Sequence, residues 1–179
     1  RLILKTTEKI KILWVGQLIE RKSPLLFLDC LPREEFYTNQ IEITIIGDGY
    51  LRKDLKKYLQ KNNLIINWVP NVDHHVVLAL LAESNVLVHT SYREATTNII
   101  PEALSYNLPV VCHDISGMSI AINETCGYKI PLINEDHSII SLSNFLIKIA
   151  EDDNLLINLK FGAKKRSSEI SWFNNAYNI

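Results

Sequence analysis

Glycine is scarce in this chain. Six of its 179 residues are glycine, about half the usual share of ~7%. A sequence this sparing puts glycine where the backbone needs it, so each one marks a turn or a close approach. Cysteine is scarcer still. Cys30, Cys112 and Cys126 are odd in number and form no C-x-x-C pair, which argues against a disulfide scaffold and against a structural zinc site. They read as reduced thiols of a cytoplasmic protein. No two histidines stand at H-x-x-x-H spacing, so no metal site is expected on a helix. Charge of one sign is also missing. The 19 Lys and Arg against 20 Asp and Glu leave a formal charge of −1, with no basic field for nucleic acid. The longest apolar run, residues 76–82, is far short of the ~20 residues of a membrane span. No signal peptide is legible, and a chain opening on Arg1 rather than Met reads as a piece of a longer protein.

Isoleucine and leucine are what the chain has in excess, 24 of each, with 16 asparagines against 8 alanines. Short β-branched runs at residues 11–15, 42–46, 65–69, 86–89 and 109–112 begin about 20–30 residues apart, the length of a βαβ unit. Between them the period changes to 3.6. Leu51, Leu55, Tyr58 and Leu59 share one helical face, and Val76, Val77, Leu80 and Leu81 share another. Beyond Pro131 the pattern is helical, through Leu142, Phe145, Leu146 and Ile149 to Leu159. The expected fold is therefore α/β, a doubly wound, mostly parallel Rossmann-like sheet with helices on both faces. Ser23 before Pro24, and Asp73, are expected helix N-caps.

In such a sheet, ligands bind at the carboxyl ends of the strands, where the βα loops gather. The first loop runs Gly16-Gln17-Leu18-Ile19-Glu20-Arg21-Lys22-Ser23. A glycine directly after a strand lets backbone N–H groups approach an anion, and two cations just before a helix add charge. A solvated cation pair on a turn is the simpler reading. The second loop, Gly47-Asp48-Gly49, has Arg52 where a dinucleotide fingerprint needs its third glycine. The fourth loop carries Glu94 and, seven residues further on, Glu102. Asn98 can cap the helix that follows, which places Glu102 in its first turn. Carboxylates suit sugar hydroxyls, and unpaired N–H groups suit a phosphate. Two acids that merely complement the helix dipole would leave the same pattern.

The order strand, Ser91-x-x-Glu94, seven residues, Glu102-Ala103, then Leu108-Pro109-Val110-Val111 resembles the E-x7-E segment of the family 4 retaining glycosyltransferases, of GT-B architecture. Val15-Gly16-Gln17-Leu18 with Lys22, Ile45-Ile46-Gly47-Asp48-Gly49 and Ile66-Asn67-Trp68-Val69 resemble the family's earlier motifs in the same order. Ser116-Gly117 and Gly127-Tyr128 fall where it has later glycine turns. The resemblance spans residues 10–173. It implies that residues 1–170 are the nucleotide-sugar-binding half of such an enzyme, and that residues 171–179 form a terminal helix that docks on an N-terminal domain this chain lacks. It further implies that Lys22 contacts the donor diphosphate near the Gly16 backbone. By the same likeness Glu94 holds donor sugar hydroxyls and Glu102 accepts from the ribose, while the N–H groups of Thr97, Asn98 and Ile99 face sugar or phosphate. Gly47 belongs to the second turn, and Val69 to Asn71 frame the base. The family carries Arg where Gln17 stands, so Arg21 is the candidate substitute. Glycine is commoner in it at Ser23, Pro70, Ala95 and Asn107.

The expected function is sugar transfer from a nucleoside-diphosphate sugar to a hydroxyl of a saccharide or lipid-linked acceptor, with retained configuration and without cofactor or metal, in polysaccharide or glycolipid assembly. The isolated chain is expected to be inactive. Other readings are a non-catalytic nucleotide-binding or interaction module and half of a nucleotide-sugar 2-epimerase. His89 and His113 are expected to be satisfied buried histidines. Lys164-Lys165-Arg166 reads as a helix-end cation cluster or as a peripheral contact with the inner membrane face.

Overall fold

The computed structural model describes residues 9–34, 39–94 and 97–170. Its strands are β1 (Ile10–Val15), β2 (Ile41–Ile46), β3 (Asn67–Val69), β4 (Val86–His89), β5 (Val110–His113) and β6 (Gly127–Ile130). Its helices are α1 (Pro24–Asp29), α2 (Arg52–Lys61), α3 (His74–Glu83), α4 (Ile99–Ser105), α5 (Ser116–Ala121), α6 (Glu135–Glu151) and α7 (Asp153–Glu169). The strands form one sheet in the order β3-β2-β1-β4-β5-β6, and every adjacent pair is parallel. A parallel strand is covered on both faces. That is why the central strands are nearly unbroken Ile, Leu and Val. Ile12, Trp14, Val86, Val88 and Val111 point to one core, under α1, α2 and α6. Leu13, Leu87, Val110 and Cys112 point to the other, under α3, α4, α5 and the end of α7.

Four of the five expected strands appear within a residue or two of their expected bounds. The third is shorter, because Ile65 is 97% exposed and only Asn67–Val69 pair with β2. β6 was not expected. Only its end residues, Gly127 and Ile130, are buried, and the two between them are half-exposed, so it carries no apolar signature. Gly127 opens that strand in register with Val110, at the amino end of the sheet. It therefore does not belong to a turn at the ligand-binding end. Its role is close strand approach, since a Cβ there would meet the Val110 carbonyl oxygen at 1.9 Å. The expected terminal helix at 171–179 lies outside the described residues.

The helix starts fall where expected, but by other means. Ser23 precedes Pro24 in the left-handed region (φ 52°), and its hydroxyl donates to the Glu20 carbonyl rather than accepting from the helix. Asp73 and Asn98 precede α3 and α4, likewise without a side-chain cap bond. The absent family glycines have a backbone consequence. Ser23 and Asn107 both hold positive φ, 52° and 58°, so the turn geometry is kept by residues that tolerate it less well than glycine. At the later turn the positive φ falls on Ser116 (48°) rather than Gly117. Pro70 is half-buried after β3, and Ala95 lies outside the described residues.

Gly47 is the position where glycine is required. Its φ is +140°, and a Cβ there would sit 1.7 Å from the Gly16 carbonyl oxygen. Gly47→Ala is expected to lower the unfolding free energy by several kcal/mol, whereas Asn107→Gly is expected to be neutral or stabilising by up to ~1 kcal/mol. Urea denaturation checks both; equal stability of the two variants would contradict this reading of the turns.

Candidate functional site

β1 and β4 are neighbours in the sheet, but the chain leaves β1 toward the face of α1 and leaves β4 toward the face of α4. Their loops part at the carboxyl end of the sheet and open a crevice, the usual ligand position of a doubly wound fold. Residues 16–23, 90–94, 97 and 98 border it.

The two loops are stitched together. The Trp14 indole Nε1 donates to Thr90 Oγ1 at 3.0 Å, and the Thr90 hydroxyl is in turn within reach of the carbonyls of Lys22 (2.9 Å) and Ser23 (3.0 Å). The Tyr92 N–H donates to the Arg21 carbonyl at 3.0 Å. This fixes the backbone of the cation pair against the loop that carries Glu94. The side chains then converge. The Lys22 ammonium donates to Glu94 Oε2. Arg21 Nη1 lies 3.3 Å from the same oxygen, and the Ser91 hydroxyl 3.4 Å. None of these contacts uses Oε1. The side chains of Lys22 and Glu94 are only 11% and 13% exposed, so the pair is desolvated. Burial pushes the Glu94 carboxyl upward, but the hydrogen bond and charge of Lys22, with Arg21, outweigh it and hold the group below its usual range.

A second group forms at the next loop. Glu102, in the first turn of α4, has its Oε1 3.4 Å from His74 Nε2. His74 begins α3, directly after the loop from Val69 through the exposed Asn71. The Gly47 N–H donates to the Val69 carbonyl at 3.0 Å, and the Trp68 indole donates to the Gly47 carbonyl. Gly16 and Gly47 touch, but the Gly16 N–H is taken up by the Ile46 carbonyl at 3.0 Å and does not face an anion. Gln17 is exposed, and its side chain makes no hydrogen bond or ion pair among the described residues. Thr97 and Ile99 are half-buried and Asn98 exposed beside α4, whose Glu102 N–H donates to the Asn98 carbonyl.

Some members were not anticipated. His74 had a signal, since it follows Asp73, an expected N-cap, just after the third strand. Thr90 gave none beyond following β4, and Ser91 figured only as the first residue of the Ser91-x-x-Glu94 pattern. His113 is buried and satisfied, with Nδ1 3.1 Å from the Ser91 carbonyl and Nε2 3.1 Å from Ser138 Oγ. His89 departs from expectation: it is buried, but its Nε2 has no hydrogen-bond partner among the described residues. Arg166 is committed to the fold, donating to the Ala121 and Ile120 carbonyls, while Lys164 and Lys165 are exposed. No helix among the described residues is long and apolar enough to cross a membrane. A cavity of about 660 Å³ lies elsewhere, at the amino ends of β2 and β3, lined by Leu31, Pro32, Ile41 and Ile66 among others. It contains none of the residues above.

Residues 3–166 match the family model of the glycosyl transferases group 1. Bacillus subtilis TuaC, named as a glycosyltransferase of teichuronic acid biosynthesis, is 28% identical over 119 residues, which are 66% of this chain and 28% of TuaC. The Saccharomyces cerevisiae phosphatidylinositol N-acetylglucosaminyltransferase GPI3 subunit is 26% identical over 116 residues, 64% of this chain and 26% of that subunit. The chain thus spans little more than a quarter of these relatives. Among solved structures, a mutant of S. aureus TarM in complex with Fondaparinux, alpha-GlcNAc-glycerol and UDP is similar at TM-score 0.79 and 18% identity, over 97% of this chain and 35% of TarM. Anabaena HepE in complex with UDP gives TM-score 0.78 at 17% identity, over 96% and 48%. Likeness at this identity concerns the fold, which is Rossmann-like and of the GT-B type.

Burial, aided by the Lys22 charge and opposed by Glu94, pushes the His89 imidazole from the ordinary 6.5 down to about 4; burial also lowers His113. Between pH 6.5 and 4 the unfolded chain therefore binds protons that the folded chain excludes, and stability falls as the pH is lowered through that window. From pH 7 to pH 5 His89 alone is expected to account for ~2 kcal/mol of loss, and His89→Asn should remove that share. Urea midpoints at the two pH values check this; a pH-independent midpoint would contradict it.

Proposed function

The chain belongs to the glycosyl transferases group 1 family, and from that premise we propose that it is the donor-binding half of a family 4 retaining glycosyltransferase. The donor is a nucleoside-diphosphate sugar. The acceptor is a hydroxyl of a saccharide or lipid-linked molecule, held by a further domain that also supplies any general base, and the setting is polysaccharide or glycolipid assembly. The observation that carries this reading is the convergence of Lys22 and Arg21 on one carboxylate oxygen of Glu94 at the switch point of the sheet.

In sugar transfer from such a donor, negative charge grows on the departing diphosphate as the anomeric bond breaks. Fixed cations in a desolvated crevice stabilise that charge without reorganising at the moment of reaction. Lys22 is the compact, buried cation suited to the task. Arg21 stands where a second one is needed, offsetting the neutral Gln17. Glu94 holds donor hydroxyls through Oε1, the oxygen its ion pairs leave open. Glu102, with His74 beside it, is placed to accept from ribose hydroxyls below a base framed by Val69 and Asn71. The N–H groups of Thr97, Asn98 and Ile99 face sugar or phosphate, and Gly16 and Gly47 bring the two loops close enough to share one ligand. The complexes with UDP among the similar structures support a nucleotide partner.

Without ligand, Glu94 competes with the diphosphate for Lys22. Glu94→Gln is expected to bind UDP, GDP or ADP about three- to tenfold more tightly than the unaltered chain, because a charged pair no longer has to open. Lys22→Met is expected to weaken the same binding by about tenfold or more. In the longer protein each change is expected to lower transfer by about a hundredfold. Calorimetric titration of the three chains decides the matter. Unaltered nucleotide affinity in Lys22→Met, or no binding of any nucleotide by any of them, would overturn the assignment.

A further inference from the structure

His89 closes β4, five residues before Glu94, and is 2% exposed. Among the described residues two buried side-chain nitrogens lack a hydrogen-bond partner, His89 Nε2 and His137 Nδ1, and of the two only His89 belongs to the strand end at the crevice, next to Thr90, whose hydroxyl reaches the Lys22 carbonyl. The charged and titratable groups acting on its ring are Lys22 from the first loop, Glu94 from the fourth loop and His113 from β5. Arg21 joins them through its own contact with Glu94. Natural folds rarely leave a buried polar nitrogen unpaired. Where they do, next to a pair of charges that must separate, a second arrangement in which it is paired becomes the natural explanation.

The charges supply the reason for that second arrangement. Among the described residues every hydrogen bond and ion pair of Glu94 falls on Oε2, from Lys22, Arg21 and Ser91. A diphosphate that takes both cations would strip this carboxylate of its charge partners inside a desolvated crevice, leaving only the Ser91 hydroxyl at 3.4 Å. A carboxylate only 13% exposed is disfavoured when left so. It needs a replacement donor on the protein, and the candidate is His89, whose buried Nε2 is unpaired and which adjoins Thr90, the residue bonded to the Lys22 carbonyl.

We propose that His89 is a positioning residue of the site, whose Nε2–H receives the Glu94 carboxylate when a bound diphosphate draws Lys22 away. Glu94 then has two settings. With the crevice empty it neutralises Lys22. With diphosphate bound, Oε2 rests on His89 while Oε1 is turned toward the ligand. The imidazole must be neutral for this, with its proton on Nε2. A residue without a donor at this position would let the carboxylate stay on Lys22 and oppose binding. The proposal rests on the diphosphate reading of the site, and its test has one arm that does not.

In that arm the His89 imidazole of the 15N-histidine-labelled chain is titrated by NMR without nucleotide, in Lys22→Met and in Lys22→Met/Glu94→Gln. Both variants lack the lysine charge, so their difference reports Glu94 alone. The expected result is a His89 pKa at least about one unit higher in the single variant; agreement within about 0.3 units overturns the proposal. In the second arm UDP, GDP and ADP are titrated into His89→Leu and His89→Asn. The leucine variant is expected to lose about tenfold in affinity and the asparagine variant, which keeps a donor, to recover most of it. Unchanged affinity in the folded leucine variant overturns the proposal. Binding of no nucleotide by the unaltered chain overturns the diphosphate reading instead, and the first arm then decides whether Glu94 turns to His89 when Lys22 is gone.

Discussion

Between β1 and β4 the chain leaves one sheet in opposite directions, and the candidate site depends on that reversal. Two loops that leave adjacent strands and then part toward opposite faces are held together near their origin by the Thr90 hydroxyl and by the Tyr92 N–H bond to the Arg21 carbonyl. Thr90 accepts a hydrogen bond from the Trp14 indole N–H in the core and reaches the carbonyls of Lys22 and Ser23. The core of the first face is thereby coupled to the loop that presents the cations. Lys22 and Glu94 meet because their backbones are already held. Their low exposure makes the encounter matter, since charges screened by water would contribute little.

A desolvated ion pair is a poor source of stability. Its presence in a crevice is better understood as a charge balance for an empty site. Lys22 needs a counter-charge while no ligand is present, and Glu94 supplies one. A ligand anion replaces Glu94 at the lysine, which frees the acid for hydroxyl groups. On this view the cation and the acid are one device with two settings, and His89 gives the second setting its hydrogen bond. The Glu102–His74 pair lies one loop away, on the side where β3 ends, a second polar pair at the same end of the sheet. A diphosphate at Lys22 and a ribose at Glu102 would use both together.

The strands were legible wherever burial on both faces favours a run dominated by Ile, Leu and Val, as in β1, β2 and β4. β6 was not, because its middle residues are half-exposed. Asn67–Val69 is short for a related reason: an edge strand needs no second partner, and Ile65 simply points to solvent. The glycine pattern was partly readable. Gly47 follows from sterics alone, but Gly127 answers to strand approach at the far end of the sheet, and nothing in its neighbourhood in sequence distinguishes the two. Left-handed backbone at Ser23, Asn107 and Ser116 could not be read from residue type, because the geometry is imposed by the turn and merely tolerated by the side chain. Lys22, Arg21 and Glu94 were singled out from loop position. Their meeting on one oxygen, and the unpaired Nε2 of His89, depend on contacts between residues about seventy apart in sequence and are visible only in three dimensions.

The central claim is that the crevice between the first and fourth loops binds a nucleoside diphosphate through Lys22. Amide NMR shift mapping of the 179-residue chain during separate titrations with UDP, GDP and ADP tests it most directly. The account predicts saturable shifts for at least one nucleotide, concentrated at Gly16, Lys22, Glu94 and Glu102 and absent from the amino ends of β2 and β3. Shifts centred on the cavity lined by Leu31, Ile41 and Ile66, or no shifts with any of the three, would contradict it.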